Sequence, residues 1–488
     1  MSSLAKFAQL WHQRLTWPAA LAMLLFVISG ISHPIMVWTG PQQTAFFPPK
    51  QSFESSQVAA MMNILEQNHI AEASLVKLVP AQDKVLLQVT GDLQQPRDYY
   101  DLNSAQLLTD YDQQQAKWLA SYYTGRGIDD IKTVAYKTDF DLEYPAVNRQ
   151  LPVWRVDFIG EDNLTAYIHT ETLTVAAINN DWKRGLQWLF QVLHTQNALQ
   201  EIPWLQFTVM NLLMTVLMFF AVMGVILIFA LPKRKKITNK SRRWHRRLSL
   251  IIYVPLLMLL ISGFYHLWFS YLDTDAREQR LLPSLSLTQL TGASDSFKSA
   301  MDSYRDKPLD QVSLIANKKG ELFARLSVPN GEAGKAIARE QRFAGKGQEK
   351  KAVYIPFNTD SRLDDRGFVK EVAAYYLPAN ADIITIEPIT FFGAGYDFRN
   401  KRLPVWQVDT QAQRIFVDAK TGILVDQIKA AGRYESLSFQ MLHKWNWLVP
   451  ITGRFVRDIM IIIVLALVTV ALCYGIALKL KRRKRIAG

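Results

Sequence analysis

The sequence predicts an α-helical membrane protein with four transmembrane helices, produced by a tandem duplication, together with α+β modules outside the membrane. Three observations support this fold class: the 488 residues are 49% hydrophobic, four long segments carry no charge, and landmarks of the first half recur in the second. The uncharged segments cover residues 15–49, 202–231, 248–272 and 459–478. Each contains about 20 or more mainly apolar residues, the length that crosses a bilayer as a helix.

The duplication is visible in several motifs. The motif W-H-x-R-L at 11–15 and the S-G-x-x-H that follows it both recur 233 residues later. The L-P-V-W segment that begins at Leu151 recurs 252 residues later, and the F-Q-x-L-H segment that ends at His194 recurs 249 residues later. Each half therefore reads as a span, an external α+β module, a pre-span helix and a second span. Because both halves have the same orientation, a pseudo-twofold axis should run along the membrane normal.

Basic residues predict the topology. Nine Lys or Arg residues and no acid lie between Lys233 and Arg247, and six more lie between Lys479 and Arg485. Under the positive-inside rule both termini are cytoplasmic and the long segments are external. These fifteen charges exceed the net charge of +13, so the basic balance belongs to the membrane boundary and does not indicate a nucleic-acid partner. The single cysteine, Cys473, excludes an intrachain disulfide.

The predicted organisation follows the chain in eight parts. They are a cytoplasmic N-terminus and first span (1–40), a first external module (41–180), a pre-span helix and second span (181–231), a basic cytoplasmic loop (232–247), a third span (248–272), a second external module (273–430), a pre-span helix and fourth span (431–478), and a basic tail (479–488). Apolar periodicity in the first module predicts one helix over 53–68 and short strands near 75–79, 85–89 and 151–157.

Six of the eight histidines occupy duplicated positions near the ends of spans. They are His12, His33, His194, His245, His266 and His443. Twenty-one residues separate His12 from His33, and the same number separates His245 from His266; this is about 30 Å of helix, and both rings point to one side. Ionisable groups within spans are costly and usually functional. The pattern predicts bis-histidine metal sites, with haem as the usual cofactor. His69 and His169 have no equivalents and are predicted to lie at the surface.

The pairing of these ligands stays open at the level of sequence. His12 and His245 could share one iron, and His33 with His266 could share another. His194 and His443 could replace the latter pair, or each could pair with the span histidine of its own half; six ligands would even allow a third haem. Gly30 and Gly263 could let a porphyrin approach or could serve helix packing. Arg14 and Arg247 could hold haem propionates or could only set the topology.

Three features together resemble the PepSY-associated transmembrane proteins, in particular their iron-regulated, ferric-siderophore-reductase-like branch. They are the W-H-x-R-L motif, the strand-turn-strand at 417–422, and the L-H motif before a span that a basic cluster closes. The resemblance covers nearly the whole chain. It implies an inner-membrane protein with periplasmic PepSY modules and two b-type haems. By position, the ligands of the family fall on His12, His194, His245 and His443.

The resemblance also implies an activity, in which electrons pass outward to reduce a ferric siderophore or a similar ferric chelate. The sequence has no clear nucleotide-binding motif, so a cytoplasmic flavin reductase or quinol would donate the electrons. Membrane lipid is the remaining expected partner. Two other functions compete with this interpretation: a non-catalytic PepSY binding or scaffold protein of the envelope, and a cytochrome b subunit of a quinol-linked respiratory complex.

Overall fold

A computed structural model describes residues 2–230, 239–272, 277–290, 295–329, 350–393 and 395–487. The chain divides into two compact units. A helical unit contains residues 1–40, 182–274 and 431–488, and a sheet-containing unit contains residues 41–181 and 275–430. Both units therefore combine segments from the two halves of the sequence.

The helices and strands are numbered in chain order. The helices are α1 (Ser3–Arg14), α2 (Thr16–Thr39), α3 (Ser55–Gln67), α4 (Tyr111–Thr124), α5 (Asp181–His194), α6 (Pro203–Ala230), α7 (Lys240–Leu272), α8 (Asp295–Asp302), α9 (Asp365–Tyr376), α10 (Ala430–Ser438) and α11 (Val449–Ala487). The strands are β1 (Glu72–Ala73), β2 (Leu75–Ala81), β3 (Lys84–Thr90), β4 (Asp98–Asp101), β5 (Ile131–Lys137), β6 (Val153–Phe158), β7 (Thr165–His169), β8 (Thr174–Asn179), β9 (Arg277–Gln279), β10 (Leu285–Ser286), β11 (Gln311–Ala316), β12 (Leu322–Pro329), β13 (Lys350–Pro356), β14 (Ile383–Ile389), β15 (Val405–Thr410), β16 (Gln413–Asp418) and β17 (Ile423–Lys429).

Four helices of the described chain are long and apolar enough to cross a membrane, as the sequence predicts. They cover Thr16–Thr39, Pro203–Ala230, Lys240–Leu272 and Asn446–Lys481. The third extends further toward its N-terminus than the uncharged segment suggests, because its basic residues continue the same helix. Lysine and arginine are good helix formers, so a run of them need not end a helix.

The four spans pack around a core that contains several alanines. Ala19, Ala20 and Ala22 of α2 are at most 4% exposed, and Leu217 of α6 is 1% exposed. Small side chains let neighbouring helices approach closely, which is the usual packing in membranes. Helix α7 contacts both α6 and α11, and α2 contacts the same two helices.

The first half departs from the prediction of one continuous helix through both histidines of its span. Leu15 interrupts the helix between α1 and α2, and the Thr16 hydroxyl bonds to the carbonyl oxygens of His12 and Gln13. In the second half, α7 carries His245 and His266 without a break. Ser249, the equivalent of Thr16 in the second half, makes the same kind of bond to the carbonyl oxygen of His245 within the continuous helix α7, so this bond alone does not interrupt a helix.

The sheet-containing unit is built by strand pairing between the two halves. Its largest sheet has the order β13-β12-β11-β2-β3-β4. Strands β2 and β11 join the halves through the antiparallel pairs Lys77–Ser313 and Val76–Leu314. Helices α3 and α8 pack on this sheet through Met61 and Phe297, among others. The two predicted modules therefore share one sheet.

Two further sheets share one plan with each other, in which a single antiparallel sheet carries one helix. One has the order β5-β6-β7-β8 and carries α4; the other has the order β14-β15-β16-β17-β9 and carries α9. The last turns of both sheets need a residue with positive φ, supplied by Leu173 (57°) in the first and Gly422 (69°) in the second. These residues are 249 positions apart, the offset of the duplicated pre-span histidines.

Candidate metal centre

Four of the six duplicated histidines form two close pairs within the helical unit. The first pair is His12 and His245, with ring centroids 6.4 Å apart. The second pair is His194 and His443, with ring centroids 6.2 Å apart. Each pair brings together equivalent residues of the two halves, so both pairs straddle the pseudo-twofold axis that the duplication predicts.

These separations match two imidazoles on opposite sides of one metal ion. A metal–imidazole bond is about 2 Å long and a ring centroid lies about 1.1 Å from its nitrogen, so trans ligands have centroids about 6 Å apart. Two axial imidazoles are a common ligand set for the iron of an electron-transfer haem. The spacing in both pairs therefore fits bis-histidine haem ligation.

In the first pair, a backbone carbonyl of a neighbouring helix orients each ring. His12 Nδ1 lies 3.4 Å from the carbonyl oxygen of Phe220, and His245 Nδ1 lies 2.8 Å from that of Ala471. A carbonyl oxygen only accepts, so Nδ1 carries the proton and Nε2 keeps its lone pair. Metal-binding histidines usually have such a partner on the nitrogen that does not bind the metal.

A glycine lies one turn beyond each of these carbonyls and faces the histidine ring. A Cβ at Gly224 would lie 3.5 Å from His12 Cε1, and one at Gly475 would lie 3.3 Å from His245 Cε1. Gly224 and Gly475 are 251 positions apart, as are the two residues that supply the carbonyls. The absence of a side chain lets each imidazole lie directly against the facing helix.

In the second pair, a serine hydroxyl takes the place of the carbonyl. Ser29 Oγ lies 3.0 Å from His194 Nδ1, and Ser262 Oγ lies 3.3 Å from His443 Nδ1. Each serine already donates its proton to a carbonyl of its own helix at 2.7 Å. The hydroxyl oxygen is therefore left to accept from Nδ1–H, which again leaves Nε2 free for a metal.

The turn after each histidine of the second pair is also duplicated. The second residue after each histidine has a left-handed backbone, with φ 53° at Gln196 and 52° at Trp445. Two side chains that the sequence analysis did not single out, Gln206 and Arg457, bond to these turns. A signal for this turn was present in the sequence: an asparagine follows each histidine by three residues.

His33 and His266, the other two histidines of the set, lie outside the close pairs. His266 Nδ1 lies 2.5 Å from Glu435 Oε1, and its ring stacks on Phe439 at 4.2 Å. His33 is exposed and packs against the ring of Phe190, with centroids 5.2 Å apart. The structure therefore brings together the four histidines that the family resemblance selects.

The remaining candidate residues have the following surroundings. The guanidinium groups of Arg14 and Arg247 lie over the indole rings of Trp11 and Trp244, at 5.5 Å and 5.6 Å from the ring centroids. Gly30 faces Leu465 of α11, a helix-packing contact. Gly263 faces the ring of His443, at 3.5 Å from Cε1 to an added Cβ, so it belongs to the second pair.

The prediction that His169 lies at the surface is wrong, whereas His69 is exposed as predicted. His169 is 4% exposed at the end of β7, and its Nδ1 lies 2.8 Å from Thr172 Oγ1. The threonine satisfies the ring within the hairpin turn, which makes burial tolerable. Burial, and next the positive charge of Arg97, lowers the pKa of His169 well below its usual value.

Among the described residues, no group of three or more His, Cys, Asp or Glu side chains is arranged to hold a metal ion. The two histidine pairs are smaller sets than this, and they are the candidate ligands considered below. In comparisons with known proteins, the chain matches no family model and no curated protein sequence.

Proposed function

We propose that the chain is a membrane electron conduit with two b-type haems, which reduces a ferric siderophore or a similar ferric chelate at the outer face and so releases iron. The observation that carries the proposal is the pair of ring-centroid distances, 6.4 Å and 6.2 Å. Equivalent histidines close enough to bind one metal ion, twice in one chain, support two bis-histidine haems.

The four histidines would hold the two haem irons through Nε2. Hydrogen bonds from Nδ1 to Phe220, Ala471, Ser29 and Ser262 hold each ring in one orientation and make the imidazole a stronger ligand. When bound, the haem iron supplies reversible one-electron chemistry. The protein contributes ligand identity, ring orientation and an apolar surrounding, and these set the reduction potential.

The two pairs lie near opposite ends of one span. His245 and Ser262, the partner of His443, are 17 residues apart on helix α7, which corresponds to about 25 Å. Buried apolar residues such as Leu217 and Leu260 belong to the core of this unit. Two sites near opposite ends of a span would carry charge across a membrane, whereas a binding module needs only one.

The predicted topology implies the direction of electron flow. With the basic clusters in the cytoplasm, as the positive-inside rule predicts, the first pair would lie on the inner side of a bacterial inner membrane and the second pair on the periplasmic side. A cytoplasmic flavin reductase or quinol would donate electrons at the first pair. The ferric acceptor would take them on the periplasmic side, where the resemblance expects PepSY modules.

Visible spectroscopy of alanine variants tests the haem assignment. A reduced-minus-oxidised spectrum and a pyridine haemochrome assay should give two low-spin b haems per chain. His12→Ala and His245→Ala should each remove the same haem, and His194→Ala and His443→Ala should each remove the other. His33→Ala and His266→Ala are the matched controls and should retain both haems. A double variant of either proposed pair with a full haem complement would refute that pairing.

A reoxidation assay tests the activity separately. The haem protein is reduced with dithionite, the excess reductant is removed, and a ferric chelate is added with a ferrous-iron trap. Rapid reoxidation with formation of trapped ferrous iron is expected. Haem that stays reduced with every ferric chelate, while a quinone reoxidises it quickly, would instead support a respiratory cytochrome b subunit.

A further inference from the structure

The sheet-containing unit holds a cavity of about 210 Å³ where strands β2 and β11 separate. The two strands pair only at Lys77–Ser313 and Val76–Leu314. Beyond these pairs, residues 78–80 of β2 and 310–312 at the start of β11 line the cavity instead of continuing the ladder. The hairpin turns that contain Glu171 and Lys420, which are equivalent in the two halves, also line it.

The charged groups of the cavity are predominantly basic. Its lining includes five cations (Lys50, Lys77, Lys401, Arg402 and Lys420) and three carboxylates (Glu171, Asp310 and Asp418). Outside the two basic clusters beside the spans, the protein as a whole is slightly acidic, because those fifteen positive charges exceed the net charge of +13. A local excess of positive charge in a partly enclosed space attracts anions.

The most deeply buried charges neutralise one another. Arg402 forms ion pairs with Glu171 and with Asp418, the latter at 3.2 Å. Lys77 donates to Glu171 at 3.0 Å. These groups are already paired with opposite charges. We therefore assign them a structural role in the cavity and not a ligand-binding one.

Three other polar groups of the lining have weak hydrogen bonds or none within the described chain. Lys420 Nζ lies 3.7 Å from Asp418 and 3.5 Å from the carbonyl oxygen of Leu403, both long for a hydrogen bond. Ser313 is 4% exposed, and its hydroxyl has no hydrogen-bond partner among the described residues. The side-chain oxygen of Gln311 also has none among them. Buried polar atoms are nearly always satisfied, so an external partner is expected here.

An apolar wall lies beside these polar groups. Phe46 and Phe392 line the cavity with ring centroids 6.0 Å apart in an edge-to-face arrangement, and Phe47 lies 5.1 Å from Phe46. Four prolines also border the space. A ligand pocket with an apolar wall and a few polar groups that fix orientation is the usual form of a small-molecule site.

We propose that this cavity binds a small carboxylate with an apolar or aromatic body. Its carboxylate accepts hydrogen bonds from Lys420 and Ser313, and its body packs against Phe46 and Phe392. The cavity volume limits the ligand to about the size of a single substituted ring. This site is independent of the histidine pairs and stands whether or not the chain binds haem.

Titration calorimetry of the full-length protein in detergent tests the proposal, with benzoate as the probe and benzamide as its uncharged counterpart of equal shape. Benzoate should bind at least about ten-fold more tightly than benzamide, because charge-assisted hydrogen bonds are the stronger kind. Lys420→Gln should weaken benzoate binding about ten-fold and leave benzamide binding unchanged. Ser313→Ala should weaken benzoate binding about three-fold.

The control is Lys319→Gln, an exposed lysine of the same unit that does not line the cavity; it should leave benzoate binding unchanged. Phe46→Ala should weaken both ligands alike. Ser313→Ala is not expected to unfold the protein, because it removes a hydroxyl without a partner in the described chain. Equal affinity for benzoate and benzamide, an unaltered affinity in Lys420→Gln, or no benzoate binding at about 10 mM would overturn the proposal.

Discussion

Gln206 and Arg457 form hydrogen bonds to equivalent turns in the two halves of the chain. Gln206 Nε2 donates to the carbonyl oxygen of Thr195 (2.7 Å) and to Asn197 Oδ1 (3.2 Å). An Arg457 guanidinium nitrogen donates to the carbonyl oxygen of Lys444 (3.1 Å) and to Asn446 Oδ1 (2.5 Å). Each turn directly follows a histidine of the second pair, so these bonds connect the ligand position to the next span.

On the proposed assignment the first haem is held by His12 and His245 and the second by His194 and His443. Replacement of Arg457 should then disturb the second haem only in variants that lose the bonds to the turn after His443. Arg457 also pairs with the buried Asp458, and breaking a buried ion pair costs about 3–5 kcal/mol by itself. The Arg457 variants should therefore also carry Asp458→Asn, so that no buried carboxylate is left without its counter-charge. In that background, Arg457→Gln should retain the low-spin spectrum of the second haem, and Arg457→Ala should reduce its occupancy.

Asp458→Asn alone is the control and should keep both haems. Only the second haem should respond, since His12 and His245 form the first pair and do not contact this turn. An Arg457→Ala variant with a normal second haem, or one that loses the first haem, would show that this turn does not position His443.

The serine partners of the second pair should tune its reduction potential. Ser262→Ala removes the acceptor for His443 Nδ1–H, which makes the imidazole a weaker donor to ferric iron. A ten-fold loss of ferric over ferrous stabilisation corresponds to a rise of about 60 mV in a one-electron couple. Spectroelectrochemical titration should show a rise of this order for the second haem and no change for the first.

Thr208→Ala is a matched control, because Thr208 is exposed and its hydroxyl bonds to the carbonyl of its own helix at 2.7 Å. Ser29→Ala should reproduce the effect of Ser262→Ala through His194. A shift in the first haem, or equal shifts in both, would contradict the assignment of these serines.

The glycines that face the first pair should differ in their tolerance of alanine. An added Cβ at Gly475 would lie 3.3 Å from His245 Cε1, a tight contact, whereas at Gly224 the distance to His12 Cε1 is 3.5 Å, an ordinary one. Gly475→Ala should therefore lower the occupancy of the first haem several-fold, and Gly224→Ala should change it little. Absorbance per chain measures both.

Gly185 of helix α5 is the control, because an added Cβ there meets nothing within 4 Å. Gly185→Ala should leave both haems intact and stabilise the helix by up to about 1 kcal/mol. Equal haem occupancy in Gly475→Ala and Gly185→Ala would mean that His245 does not need this space.

Sequence alone predicted the four spans, because a span depends on local composition. It also identified the duplicated histidines, because they lie in matched motifs. Which histidines meet could not be read from the same pattern. His33 and His194 occupy equally plausible positions by helix geometry, and the choice between them depends on the turn after His194 and on Ser29, a contact between residues 165 positions apart.

The shared six-stranded sheet could not be predicted either. The alternation that indicates strand β2 is satisfied by any neighbour with an apolar face, and strand β11 was not predicted. Their pairing through Lys77 and Ser313 joins residues more than 230 positions apart. The sequence therefore indicated two α+β modules without indicating that they combine into one unit.

The ion cluster around Arg402 should make the stability of the sheet-containing unit depend on pH. Arg402 pairs with Glu171, with Asp418 at 3.2 Å and with Glu278 at 3.1 Å. Burial raises the pKa of Glu278 to about 7; the positive charge of Arg402 opposes this shift, and the two neighbouring carboxylates add to it. Burial disfavours the charge of Glu171 as well, but Arg402 and Lys77 hold the pKa of that carboxyl well below its usual range.

One guanidinium thus pairs with three carboxylates, and of Glu278 and Glu171 only Glu278 has a raised pKa. Because the folded state binds the proton of Glu278 more tightly than the unfolded chain, its stabilising effect is complete below about pH 4.5 and is lost as the pH rises through 7. Glu278→Gln, which imitates the protonated form, should remove this dependence. Thermal unfolding followed by near-ultraviolet circular dichroism from pH 4.5 to 8 should show the wild type falling relative to Glu278→Gln as the pH rises. A constant difference between the two proteins, or a wild type that gains stability relative to the variant, would show that Glu278 is ionised throughout this range.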